Sequence, residues 1–250
     1  VFKTLLPMIR VLNSGVIKII ALGTLFPFNL YYQRDSNFDL LAPTRDYREE
    51  ISSKHGEIDF GTELQPGEIK LHCVTEEGLS VEEKSRFKEE LTSKLKEFTT
   101  TTPLLFESQP DKFIYVRLKD KVEIVEHPNW LDITISLKTA PYWVSVEEHE
   151  REGSGIITNS GATDAPLVIE ITGPAINPEV TIGEESLSYE GSLAEGDVLR
   201  IDTDSQTVTF NGVNAISNYT GRFPWLPAGD TEVVESASGS TVFKWRDRWV

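Results

Sequence analysis

Apolar and polar positions alternate along most of this chain, the period of strands with one face against a core. Ile69-Lys70-Leu71-His72-Cys73-Val74 is such a run, and Leu131, Ile133, Ile135 and Leu137 alternate with Asp132, Thr134 and Ser136. One stretch changes period. Ser80-Val81-Glu82-Glu83 has the pattern of a capping box, in which the serine hydroxyl accepts from the Glu83 N–H and the Glu83 carboxylate accepts from the Ser80 N–H. Phe87, Leu91, Leu95 and Phe98 then recur on one helical face. Acids come early (Glu82, Glu83) and bases late (Lys94, Lys96), which suits the helix dipole. The pattern predicts one amphipathic helix over about 80–98, closed by the threonines before Pro103, with Phe87, Leu91 and Leu95 buried against a sheet.

Further strands are predicted at Lys112–Leu118 and Lys121–Val125, joined through Lys119-Asp120 as a hairpin. Residues 147–155 read Glu-Glu-His-Glu-Arg-Glu-Gly-Ser-Gly, charged and then glycine-rich with no apolar period. The domain boundary is placed there, giving domains 1–147 and 148–250. The second part has no helical signature. Strands are predicted at Leu167–Thr172, Glu179–Ile182, Val198–Asp202, Thr207–Phe210 and Val242–Arg246, with Asn211-Gly212 as a type I′ turn. The chain is therefore expected to be mainly β: a first domain with one helix, then a β-sandwich of about 100 residues.

The N-terminal apolar run from Val16 to Phe28, behind Lys3 and Arg10, has the look of a signal peptide. It lacks a small-residue cleavage site and is interrupted by Lys18 and Gly23. It is also shorter than the roughly 20 apolar residues of a membrane span. Its β-branched Val16–Ala21 segment reads as a buried strand, and no membrane insertion is expected.

Forty acids against 24 bases give a formal charge of −16, which argues against a nucleic-acid grip built on clustered Lys and Arg. The single Cys73 can form neither an internal disulfide nor a cysteine zinc site, and it reads as a small core residue. His55, His72, His127 and His149 lie in no zinc-protease spacing, and no phosphate loop, dinucleotide fingerprint or nucleophile elbow is present. Asp202-Thr203-Asp204 opens like a calcium loop but departs from it at the sixth and twelfth positions, so it reads as a polar turn. No catalytic residue, metal or cofactor is expected. Aromatics crowd the C-terminal part, and of these Tyr219 and Trp225 are the candidate glycan or interface aromatics, with core packing as the plainer reading.

Several short stretches, in register, resemble a known family. They are Gly56-Glu57-Ile58-Asp59-Phe60-Gly61-Thr62-Glu63, Pro110–Val116, Pro128-Asn129-Trp130-Leu131 and Ala140-Pro141-Tyr142 in the first part. In the second they are Asn159-Ser160-Gly161, Ile171-Thr172-Gly173-Pro174, Leu199-Arg200-Ile201-Asp202, Asn211-Gly212 and Lys244–Trp249. Together they are similar to the distal tail proteins of bacteriophages over roughly residues 28–250. The resemblance implies a split β-barrel-like first domain with one helix that builds a hexameric ring, and a galectin-like β-sandwich pointing outward. It implies a structural, non-enzymatic hub at the virion tail tip. Its partners would be further copies of the chain, the tail tube protein, tail-tip or tail-associated proteins and a receptor-binding protein, with DNA only passing through the channel. The alternative is a tail-borne carbohydrate-binding module for host cell-surface glycans.

Overall fold

A computed structural model describes residues 8–11, 16–21, 24–25, 30–32, 37–38, 43–50, 57–75, 77–106, 109–237 and 239–250. The chain divides into two compact units, Val1–Trp143 with Val250, and Val144–Trp249.

The strands up to that division are β1 (Met8–Val11), β2 (Val16–Ala21), β3 (Thr24–Leu25), β4 (Leu30–Tyr32), β5 (Asn37–Phe38), β6 (Thr44–Glu50), β7 (Glu57–Leu64), β8 (Glu68–Thr75), β9 (Thr102–Phe106), β10 (Gln109–Leu118), β11 (Glu123–Glu126) and β12 (Leu131–Ser145). Val16–Ala21 of the apolar N-terminal run forms β2, as a strand was expected there, while its expected burial lies outside what is described; its partner β1 also pairs with β9 in parallel. Pairing runs β12-β10-β9-β1-β2-β4-β8 and returns on itself, because β8 also pairs with β12 from Glu68↔Lys138 to Val74↔Asp132. Such a circuit leaves few free edges. Helix α1 (Val81–Leu95) continues into a 3-10 turn, Lys96–Thr99, and carries the capping box in full. Glu83 N–H donates to Ser80 Oγ at 3.2 Å; the Ser80 N–H and hydroxyl both donate to Glu83 Oε2 at 2.8 Å, and these two bonds hold the Glu83 carboxyl below its usual range. Phe87, Leu91, Leu95 and Phe98 are buried with Leu71, Cys73, Ile133 and Ile135. Burial pushes the Cys73 thiol up to about 12, so it is a neutral core group.

The Lys112–Leu118/Lys121–Val125 hairpin is corrected. β10 and β11 do not pair; β12 runs beside both, with Lys119 N–H donating to the Ser136 carbonyl and Glu123 opposite Thr134. The hairpin joins β11 to β12, and its turn is His127-Pro128-Asn129-Trp130. Lys119-Asp120 lacks the Gly or Asn that accepts positive φ in a tight hairpin, whereas Pro-Asn sets a turn readily. The His127 and Trp130 rings stack across that turn at 3.6 Å. The buried Lys84 ammonium of α1 donates to the His127 and Pro128 carbonyls at 2.9 and 3.2 Å. Lys88 and Lys84 both bind Glu126, which holds its carboxyl below the usual range. The helix is thus pinned to the hairpin by charge as well as by its apolar face.

β6 and β7 form a two-stranded ribbon of their own. Tyr47 Oη donates to Glu63, Thr62 Oγ1 donates to Asp46 (both 2.8 Å), and Arg45 lies over the Tyr47 ring.

The second unit holds β13 (His149–Glu152), β14 (Gly155–Asn159), β15 (Ala165–Thr172), β16 (Ala175–Ile176), β17 (Glu179–Ile182), β18 (Glu185–Tyr189), β19 (Ser192–Leu193), β20 (Val198–Asp202), β21 (Thr207–Phe210), β22 (Val213–Asn214), β23 (Tyr219–Gly221), β24 (Trp225–Leu226), β25 (Gly229–Glu235), β26 (Ser240–Trp245) and β27 (Arg248–Trp249). One sheet runs β13-β26-β15-β20-β21-β22, with β24 also on β15, and the other runs β14-β25-β17-β18-β23. Their inner residues, among them Leu167, Ile169, Val180, Leu199, Ile201, Val233 and Phe243, form one core. Asn211 and Gly212 have φ of 48° and 80°, the type I′ geometry that joins β21 to β22. The charged 147–155 segment is not all linker. It contains β13, an edge strand whose partner is β26, and edge strands carry charge where central ones cannot.

Candidate functional site

The two candidate aromatics belong to different sheets. Tyr219 opens β23 at the edge of the five-stranded sheet, half-buried, with its ring stacked on Phe223 at 4.6 Å. Its hydroxyl donates to the Arg222 carbonyl, and burial pushes the phenol up to about 12. Trp225 lies on β24 opposite Pro166 of β15. The Arg248 guanidinium sits 5.1 Å over its ring and pairs with Asp204 at 3.2 Å. That cation-π contact occupies a face a sugar would stack on. The Asp202 carboxylate accepts from the backbone N–H groups of Asp204 and Ser205 at 3.0 and 3.1 Å and so closes a turn.

A polar seam that pattern reading passes over lies in the same unit. Asn159 is 1% exposed. Its amide donates to the carbonyls of Thr163 and Leu226 at 2.9 and 3.1 Å, and its oxygen accepts from Gly161 N–H at 2.9 Å. The buried Asp247 carboxylate accepts from Ser160 N–H at 3.1 Å and meets His149 Nε2 at 3.2 Å. Ala162 and Thr163 N–H groups donate to the Arg248 carbonyl, which lies 2.2 Å from where a Cβ on Gly161 would stand. This is why the Asn159-Ser160-Gly161 and Lys244–Trp249 stretches occur together: one fastens the end of the other. Buried polar groups need such partners, and these lie 87 residues apart.

Charge is unevenly shared. Residues 144–249 hold 18 of the 40 acids but 6 of the 24 bases, a net −12 against −4 for the remainder. No three His, Cys, Asp or Glu side chains among the described residues form a metal-binding group, and no helix among them is long and apolar enough to cross a membrane.

Each of the two units is mainly β, the first with one helix and the second a pair of packed sheets, and comparison shows the class of protein they define. The phage tail protein RIFT-related domain matches residues 24–139, and the C-terminal domain of the siphovirus-type tail component matches residues 160–249. The crystal structure of the SPP1 Dit protein (gp 19.1), described as a paradigm of the hub adsorption apparatus in phages infecting Gram-positive bacteria, superposes with a TM-score of 0.75. It is 12% identical, over 91% of this chain and 97% of that one. A chain in the activated phage P2 baseplate with calcium is 9% identical, with a TM-score of 0.46 over 87% and 90% of the two chains. No curated protein matches the sequence. The chain is a structural component of the phage tail tip. It belongs to the distal tail protein family, the baseplate hub proteins.

Proposed function

We propose that this protein acts as a ring: six copies, with the N-terminal unit building the hub that connects the tail tube to the tail-tip and receptor-binding proteins and encloses the DNA channel. The observation that carries this reading is the pair of tail-protein family matches, which cover residues 24–139 and 160–249 in order. The closed strand circuit of the N-terminal unit is read as the split barrel of the family, and the two-sheet C-terminal unit as its galectin-like sandwich. The protein works by holding partners in place and catalyses nothing. Sedimentation equilibrium tests the ring: the expected mass is six times the 28.1 kDa chain. A monomer mass at every accessible concentration would overturn the reading.

Tyr219 and Trp225 are read as packing residues, because Phe223 and Arg248 cover their rings. Trp225→Ala is expected to lower the stability of the C-terminal unit by about 3 kcal/mol, toward the low end for a large buried aromatic. Calorimetric titration of the parent protein with cell-wall saccharides is expected to show no heat of binding. Binding that disappears in a folded Trp225→Ala variant would favour the carbohydrate-binding alternative.

A further inference from the structure

The two large sheets of the C-terminal unit end in edge strands that are finished differently. β22 and β23 are two and three residues long, too short to template a partner strand. β13 reads His-Glu-Arg-Glu, so charge guards that edge. β14, at the edge of the five-stranded sheet, has neither protection. Its five residues, Gly155-Ile156-Ile157-Thr158-Asn159, carry no charge, and among the described strands it pairs with β25 alone. Ile157 and Asn159 are buried, whereas Ile156 is 63% exposed. Ile156 stands opposite Glu232, and Val234, two residues further along β25 and 48% exposed, lies on the same outer face. The Thr158 carbonyl accepts from Trp245 Nε1 at 3.2 Å, and at the other end the Arg151 guanidinium donates to the Ser154 carbonyl at 3.1 Å. The open stretch of the edge is therefore centred on Ile156.

We propose that β14 is a docking edge, which takes an extended, basic segment of a different protein as a further strand of the five-stranded sheet. Main-chain N–H and C=O groups give such a contact its affinity, and side chains at alternate positions give its specificity. The outer face sets the chemistry of the occupant. An apolar, β-branched side chain packs against Ile156 and Val234 across the new strand pair. Lysine or arginine beside it meets the exposed Glu232 and Asp230, the latter already accepting from Thr158 Oγ1 at 2.7 Å. The whole unit, with a net −12 over residues 144–249, draws a basic partner. The same acidity disfavours a second copy, because pairing β14 with itself sets −12 against −12. The inference goes beyond the ring reading, which assigns the ring to the N-terminal unit, and holds for any number of copies.

The probe is a fluorescein-labelled peptide of three Lys-Val repeats, titrated against the protein by fluorescence anisotropy. A second peptide, methylated at every internal backbone nitrogen, keeps the charge and loses the main-chain donors. The expected result is binding of the first peptide that weakens about tenfold or more with the methylated one, and by a similar factor in Ile156→Lys, which puts a charge on the edge. Ile156 is exposed, so the variant is expected to keep the parent's thermal unfolding profile; Ile156→Ser serves as the milder change if it does not. A parent that does not hold the peptide overturns the proposal, as does a folded variant that binds like the parent. Equal binding of the methylated peptide would reduce the contact to charge attraction and also overturn it. Parent dimers that are lost in Ile156→Lys would give the edge to a second copy, against the proposal. None of these outcomes touches the ring, whose failure is read separately from the mass of the assembly.

Discussion

Phe87→Ala is expected to destabilise the N-terminal unit by about 3–5 kcal/mol, the cost of emptying a large, fully buried aromatic site. Phe87 is 0% exposed, and Leu91 beside it on the helix face is 1% exposed. They share one cluster with Leu71, Ile133, Ile135 and Leu137 of β8 and β12, the two strands whose pairing closes the circuit. The cavity would open where the sheet returns on itself, and the two paired strands cannot both shift to fill it without breaking register. Glu89→Ala, on the exposed face of the same helix, should stay within about 0.5 kcal/mol of the parent. Urea unfolding followed by circular dichroism measures both. A Phe87→Ala loss no larger than that of Glu89→Ala would mean that the helix does not support this core.

Asn159→Ala is the second large effect, expected at about 2–4 kcal/mol on the C-terminal unit. The substitution removes two donors, one from the buried Leu226 carbonyl and one from the part-buried Thr163 carbonyl, and one acceptor from the part-buried Gly161 N–H. Leaving a buried polar group without its partner costs about 1–3 kcal/mol each, and the three are coupled, so they do not sum in full. Asn159→Asp should also be costly, because a carboxylate cannot donate to the two carbonyls. Chemical unfolding of the full chain, read through tryptophan fluorescence, checks both variants. An Asn159→Ala protein as stable as the parent would show that the seam does not fasten the C-terminal strand.

The helix was legible because its signals are local. Ser80, Glu83 and the Phe87–Leu91–Leu95 spacing act within a few turns of one another, and the structure places α1 at Val81–Leu95. Strands were legible where both sheet faces impose alternation, as at Glu179–Ile182, Val198–Asp202 and Thr207–Phe210. The hairpin was misplaced because pattern shows where strands lie and not which edges meet. The long β12 takes β11 and β10 along one flank, and the turn chemistry at Pro128-Asn129 outweighs the short polar link at Lys119-Asp120. β13 escaped notice because an edge strand of His, Glu and Arg has no apolar period to detect. Asn159 and Asp247 were visible only as parts of familiar stretches. Their role depends on partners far along the chain, which no local signal carries.

Charge tells a similar story. Net acidity suggests a channel wall that repels DNA, but only −4 of the −16 falls outside residues 144–249. A lumen built by the N-terminal unit would draw on that smaller share. The proposed hub role depends on ring formation. Electron microscopy of the purified protein, with class averages computed without imposed symmetry, tests it most directly. Sixfold rings around a central channel are expected. Particles that average only to single chains or two-fold dimers would contradict it.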